Sequence, residues 1–398
     1  MSSPGPKTIY LVSAKRTAIG AFGGSLKDCQ PADIGAIAAR AAIAEAAVDP
    51  ASIGNVVIGQ VMATQPRDAY MGRMVGMGAG LPMEVPAMTV NRLCGSGLQA
   101  ILTAANSLLV GDADIALAGG TEVMSRAPYF APALRWGAKM GDAALVDSLN
   151  GALTDPFNDI LMGVTAENLA DKYAISREKQ DEIAAESHRR AAIAIEEGRF
   201  KSQIAPVEVK QRRKTVSFEQ DEHIRPDTTM DSLAGLNPIF RKEGGTVTAG
   251  NASGINDGAA AVILASEDAV KAHDLKPMAR LVSWGHSGVD PAIMGIGPVP
   301  ASKQALERAG LAIGDIDLVE SNEAFAAQAC AVAMELGFDP EKTNPNGSGI
   351  SLGHPVGATG AINTTKLVHE MARVSGRYGL VTMCIGGGQG IAAIFERV

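Results

Sequence analysis

Aromatic side chains are scarce in this chain of 398 residues, only 4%. A core cannot rest on ring stacking, so it must be built from Ala, Val, Ile, Leu and Met, with 45 glycines letting backbone approach backbone. Cysteine is scarcer still. Cys29, Cys94, Cys330 and Cys384 lie far apart and form no C-x-x-C pair, which fits a reducing, cytoplasmic compartment where a free thiol can be reactive. Positive charge is also short: the net charge of −8 argues against general nucleic-acid binding. No G-x-x-x-x-G-K-[ST] phosphate loop occurs, and no predicted helix carries a metal-ligand spacing. The start, Met1–Lys7, lacks the charged and apolar stretches of a secretory leader, and no apolar run is expected to cross a membrane.

What remains is a long chain rich in small apolar residues. Its length predicts two or three domains, and 46% hydrophobic against 20% charged residues allows a large buried body without disulfides. The pattern is α/β and repeats. Ile9–Ser13 reads as a strand, Pro31–Ala47 as a helix and Asn55–Gly59 as a strand. Ala279–Ser283, Pro300–Ala309 and Asp317–Glu320 follow the same order later. The offsets are similar: 270 residues from Leu11 to Leu281, 263 from Ile53 to Ile316 and 260 from Cys94 to His354. An internal duplication is therefore expected. Between the copies lies a charged insertion, with a polar helix over Ser176–Glu197 and a basic run at 211–214. The expected boundaries are 1–123 for the first half, 124–254 for an inserted substrate-binding part, 255–276 for completion of the first half and 277–398 for the second.

Four glycine-rich segments carry reactive groups. Cys94 sits in Asn91–Gly97, at a predicted strand-to-helix turn, where orphan N–H groups and the helix dipole favour thiolate. The alternative is a buried core cysteine. His354, in Gly353–Gly360, can take a proton from Cys94 or donate to an oxyanion; Pro355 should stop a helix before it, and the alternative is a turn-capping histidine. The other histidines read as surface or structural. Cys384 ends a strand before three glycines. A thiol near its ordinary pKa could move protons there, and Gly386 offers a bare N–H; the alternative is a buried strand cysteine. Asn322 precedes the helical run Ala324–Leu336 and is either an N-cap or a holder of water or oxyanion. Together these groups fit acyl transfer through a thioester followed by carbon–carbon chemistry.

These four segments, with Gly119–Tyr129 and the tail Gly386–Val398, resemble the signature segments of the thiolase family, most like bacterial biosynthetic-type β-ketothiolases. The resemblance runs from about Thr8 to Val398. It implies a thiolase fold, a duplicated five-layer αβαβα core with an inserted loop domain. It implies that Cys94 is the acylated nucleophile, that His354 activates it, and that Asn322 holds a water completing a first oxyanion hole. Cys384 is then the acid/base for the α-carbon, and the N–H groups of Cys94 and Gly386 form a second oxyanion hole. The positions matching coenzyme A contacts are Arg225, Ser232, Ala249, Ser253, Leu153, Met162, Met294, Ala324 and Phe325. Leu161 departs from the pattern, standing where several short-chain members carry histidine. The expected substrates are acetyl-CoA, 3-ketoacyl-CoA and CoA, with no separate cofactor and no metal. The expected assembly is a homotetramer built with the loop Ala127–Met140. Two rival readings are a ketoacyl synthase-like condensing enzyme, which would be expected to carry histidine in place of Asn322, and a non-catalytic acyl-CoA-binding protein.

Overall fold

Two halves repeat one chain path. The computed structural model describes residues 8–398, so the polar start Met1–Lys7 lies outside the described residues. The first half runs through β1 (Ile9–Arg16), α1 (Pro31–Ala46), β2 (Asn55–Gly59), β3 (Ala87–Val90), α2 (Ser96–Val110) and β4 (Ile115–Val123). A long excursion follows, carrying α3 (Met162–Tyr173) and α4 (Arg177–Glu196). Then β5 (Asn256–Ser266) returns to the first sheet. The second half runs β6 (Ala279–Gly288), α5 (Pro298–Ala309), β7 (Leu318–Ser321), α6 (Ala326–Leu336), α7 (Thr359–Val374), β8 (Tyr378–Ile385) and β9 (Gln389–Arg397).

The pairings match over four strands of each copy, β3 having no counterpart strand in the second. In the first half β1 and β5 are antiparallel, β5 and β4 antiparallel, and β4, β2 and β3 parallel. In the second, β6 and β9 are antiparallel, β9 and β8 antiparallel, and β8 and β7 parallel. The halves meet edge to edge through Tyr10↔Arg280 and Leu11↔Ala279. Even the irregularities repeat. A bulge falls between Leu11 and Ser13 and again between Leu281 and Ser283. Each bulge turns its serine toward the covering helix: Ser13 Oγ donates to Ala42 O of α1 and Ser283 Oγ to Ala305 O of α5, both at 2.7 Å.

The layers follow from which faces are apolar. Helix α1 covers the outer face of the first sheet and α5 that of the second, while α2 and α7 lie back to back between them. Every residue of β4 and β5 is buried, as strands covered on both faces must be. The stretch Leu93–Val110 corrects one expectation: over 18 residues its mean hydropathy is 1.4, long and apolar enough for a membrane span. Its apolarity has a different cause here, because α2 is the middle-layer helix, packed on β2, β4 and α7. The excursion is pinned back by a fully buried ion pair. Arg16 donates to both carboxylate oxygens of Asp221 at 2.7 and 2.9 Å, and Asp221 also accepts the Ile19 N–H. The basic run at 211–214 lies at the hairpin joining Val207–Gln211 to Lys214–Phe218, turning at Arg212.

Helices α2 and α7 touch at their first turns through glycine. A Cβ on Gly97 would lie 2.7 Å from Ala361 N, and one on Gly360 would lie 2.2 Å from Leu98 N. Gly360→Ala should therefore lower stability by about 1–3 kcal/mol, because backbone on the facing helix must shift. A urea denaturation midpoint unchanged from the parent protein would show that the two middle helices can part without cost.

Candidate active site

The loop 91–95 is folded tightly between β3 and α2. Ser96 Oγ accepts the Arg92 N–H at 2.8 Å and donates to Leu93 O at 2.7 Å, while Asn91 Oδ1 accepts the Leu93 N–H at 2.9 Å. Leu93 adopts φ 45°, a left-handed conformation that a branched apolar residue rarely takes. This loop presents Cys94 just ahead of the first turn of α2. Its thiol is pushed up to about 11, because burial outweighs the lowering effect of N–H groups from Gly386 and from Cys94 itself. The helix N-terminus therefore does not make a resting thiolate, contrary to the sequence expectation, and deprotonation needs a base.

Cys384 ends β8 and is fully buried. Its thiol is also raised, first by burial and then by the neighbouring Cys94 sulfur. That also corrects the expectation of an ordinary thiol pKa. The two sulfurs, far apart in sequence, are thus near enough for charge on one to raise the other. Two contacts hold them there. A Cβ on Gly95 would sit 2.6 Å from Ile385 Cδ1 and one on Gly386 would lie 3.4 Å from Leu93 Cδ1, while the Gly386 N–H favours the Cys94 thiolate. Gly387 and Gly388, at φ 77° and 81°, make the turn into β9.

His354 lies on the loop entering α7. Its backbone N–H donates to Asn256 Oδ1 at 2.9 Å, its Nδ1 is 2.7 Å from Thr359 Oγ1, and its Nε2 is 3.4 Å from Asn322 Nδ2. Burial lowers its pKa to about 4, so the ring is neutral at rest. The ring's bonds go to Thr359 and Asn322 rather than to the Cys94 sulfur. Its loop nonetheless abuts that of Cys94: Val356 packs with Cys94 in one apolar cluster, and Gly97 lies against the Gly357 and Ala358 carbonyls. A short helix, Gly349–Leu352, precedes the histidine despite Pro355, and Gly353 at φ 109° ends it.

Asn322 is fully buried at the end of β7. Helix α6 starts only at Ala326 with Phe325 at its cap position, so the N-cap reading falls. Asn322 Oδ1 is a buried acceptor with no partner, an atom that ordinarily finds a donor.

The nine positions matched to coenzyme A contacts fall into two groups. Leu153, Met162, Met294, Ala324 and Phe325 surround Cys384. Arg225, Ser232 and Ala249 line a cavity of about 240 Å³ with His188 and His223. Ser253 joins the groups, its N–H donating to Ala324 O at 2.9 Å, and Ala252 bridges to Phe325. His188 is not at the surface: it is buried, accepts the Arg225 N–H at 3.2 Å and is pushed down to about 4 by burial. Leu161 is partly exposed beside Met162. Among the described residues no group of three or more His, Cys, Asp or Glu could hold a metal ion.

Glu122 escaped the sequence reading. It is fully buried in β4 and accepts N–H groups from Val61 at 2.9 Å, Met62 at 3.1 Å and Gly357 at 3.0 Å. Burial raises it to about 8 against those three donors. One carboxylate thus ties the loop after β2 to the histidine loop. The signal was there, a lone acid in an apolar strand, but its partners are distant in sequence.

Comparison with known proteins agrees with this geometry. The family models described as "Thiolase, N-terminal domain" and "Thiolase, C-terminal domain" match residues 9–268 and 275–397. The chain is 62% identical to the beta-ketothiolase BktB of Cupriavidus necator, over 98% of this chain and 100% of that protein. It superimposes on human mitochondrial 3-ketoacyl-CoA thiolase in complex with CoA with a TM-score of 0.95, at 49% identity over 98% of each chain. For the acetyl-CoA acetyltransferase of Bacillus anthracis the TM-score is 0.97, at 44% identity over 100% of each chain. The duplicated α/β core, with its paired thiols, belongs to a member of the thiolase family.

Proposed function

We propose that this chain is a β-ketothiolase, an acyl-CoA C-acyltransferase. It cleaves 3-ketoacyl-CoA with CoA and, in reverse, condenses acetyl-CoA with acyl-CoA. The observation that carries the reading is the convergence of the Cys94 and Cys384 loops, Gly95 against Ile385 and Leu93 against Gly386.

In cleavage, His354 takes the Cys94 proton and the thiolate adds to the 3-keto carbon. The C2–C3 bond breaks, and its electron pair leaves on C2 as the enolate of acetyl-CoA. Cys384 gives its proton to C2, and the remaining acyl group stays on Cys94 as a thioester. A CoA thiol then gives its proton to the Cys384 thiolate and attacks that thioester. Cys94 leaves as thiolate and regains its proton from His354. Two thiols are needed because the acylated one cannot also move protons. The Gly386 N–H, which favours the Cys94 thiolate, would serve the acyl oxygen once the sulfur is acylated. His354 with the unpartnered oxygen of Asn322 supports a water-completed hole for the enolate oxygen. Removing one such donor typically costs about a hundredfold or more in rate. CoA enters as a substrate, its adenine end toward Arg225, Ser232 and Ala249 and its arm among Met162, Met294 and Phe325.

The segment 124–254 then serves as the CoA-binding insertion. Its loop leaves Tyr129, Phe130, Leu134, Trp136 and Met140 exposed, Trp136 at 90% and Met140 at 98%. Apolar surface of that kind supports assembly, here a homotetramer.

Cys94→Ala incubated with acetyl-CoA should show no acetyl adduct in intact-protein mass spectra; a stoichiometric adduct would remove Cys94 from the nucleophile's role. Cys384→Ser should still acylate Cys94 yet lose thiolysis by at least about a hundredfold, and near-normal thiolytic turnover would end the acid/base assignment. Because the Cys94 thiol is raised to about 11 while His354 is lowered to about 4, alkylation of the free enzyme by iodoacetamide should keep rising from pH 6 to pH 9. A plateau below pH 7 would instead show a preformed thiolate–imidazolium pair.

A further inference from the structure

We propose that Thr359 is a positioning residue for this reaction: its hydroxyl holds His354 in the tautomer that carries its proton on Nδ1 and leaves Nε2 bare to receive the proton of Cys94. The proposal rests on the reading of His354 as base. Thr359 Oγ1 has two polar neighbours. It lies 2.7 Å from His354 Nδ1 and 2.9 Å from Pro355 O. A hydroxyl has one proton to give. The carbonyl takes it in the ordinary i→i−4 helical bond that Thr364 and Thr365 also make further along α7, at 2.8 and 2.9 Å. The first copy shows the same allocation. At the equivalent helix start Ser96 Oγ donates to Leu93 O at 2.7 Å and so is left to accept, from the Arg92 N–H.

With its proton committed, Thr359 Oγ1 faces the ring as an acceptor, so Nδ1 must be the N–H. A neutral imidazole protonated on Nδ1 has its lone pair on Nε2. The Asn322 amide N–H at 3.4 Å from Nε2 agrees, since it can donate only to that lone pair. Burial keeps the ring from carrying both protons at rest, so the choice of tautomer decides whether a base exists at all. Once Nε2 has taken the thiol proton, the same Nδ1–H···Oγ1 bond stabilises the imidazolium. The histidine is held on its other side by Asn256, which accepts its backbone N–H and donates Nδ2–H to Gly20 O at 3.0 Å. Thr359 therefore sets ring chemistry more than loop position.

Three variants and one spectrum test this. T359V should lower kcat for thiolysis about tenfold to a hundredfold, slow alkylation at neutral pH by a similar factor, and leave KM for CoA within about threefold. T359S should restore both rates to within about threefold, because the hydroxyl rather than the methyl is at work. A T359V enzyme with parental kcat, or a T359S enzyme as slow as T359V, overturns the proposal. In ¹⁵N spectra of histidine-labelled enzyme, with the His354→Ala spectrum subtracted, His354 should show protonated Nδ1 and bare Nε2. An Nε2–H signal overturns the proposal even if T359V does not fold. H354A separates the two layers: thiolysis surviving in H354A would sink the base reading itself, whereas an inactive H354A beside a fully active T359V would sink only the role of Thr359.

Discussion

The site depends on how closely two helices from different halves of the chain can start side by side. Gly97 and Gly360 put the first turns of α2 and α7 in backbone contact, with no space for a methyl group on either. Each helix is entered by a loop, and each loop carries a reactive residue. Moving the helices apart would separate Cys94 from His354 before any side chain changed. Glu122 reinforces the contact from below by binding the Gly357 N–H together with those of Val61 and Met62. Glu122, held in a fully buried strand, cannot shift without breaking three hydrogen bonds to main chain.

Burial then sets the charges. It raises both thiols and lowers the histidine, so the resting site holds neutral groups. Taking charge out of water is costly unless paired, and this site postpones that cost until substrate arrives. When a thiolate and an imidazolium form together, proton transfer creates both at once in a low-dielectric space, where each stabilises the other and aimed N–H donors act strongly. The apolar ring of Met162, Met294, Ala324, Leu153 and Phe325 around Cys384 is part of this device.

Much of this was legible in the sequence. Nearly every strand and helix named from periodicity exists within a few residues, because apolar patterning over one buried face is a strong local signal. The offsets of 260 to 270 residues located the duplication. What escaped was whatever depends on partners far away in the chain. The sequence reading named neither β5 nor β9 as a strand, since a run buried on both faces loses its alternation. Glu122 and Thr359 are ordinary residues until Gly357 and His354 stand beside them. The thiol of Cys94 was misjudged because a helix start is visible in sequence and the desolvation that overrides it is not. His188, read only as surface or structural, is the second of these, buried against Arg225 further along the same excursion.

The duplication also explains why the chemistry is divided between the halves. Strand registers place Val56 opposite Leu117 and Val319 opposite Leu380, a common offset of 263 residues. On that offset Cys384 stands where the first copy has Thr121, whose hydroxyl donates to Pro31 O and serves packing alone. Asn322 stands where the first copy has Gly59, which must lack a side chain because a Cβ would meet Ser96 C at 2.6 Å. On the proposed roles, the same two positions are structural in one copy and chemical in the other. The reason is the shared middle layer. The loops entering α2 and α7 lie against each other there, so on the proposed roles one copy need supply only the nucleophile, and the other is free to supply base, acid and amide.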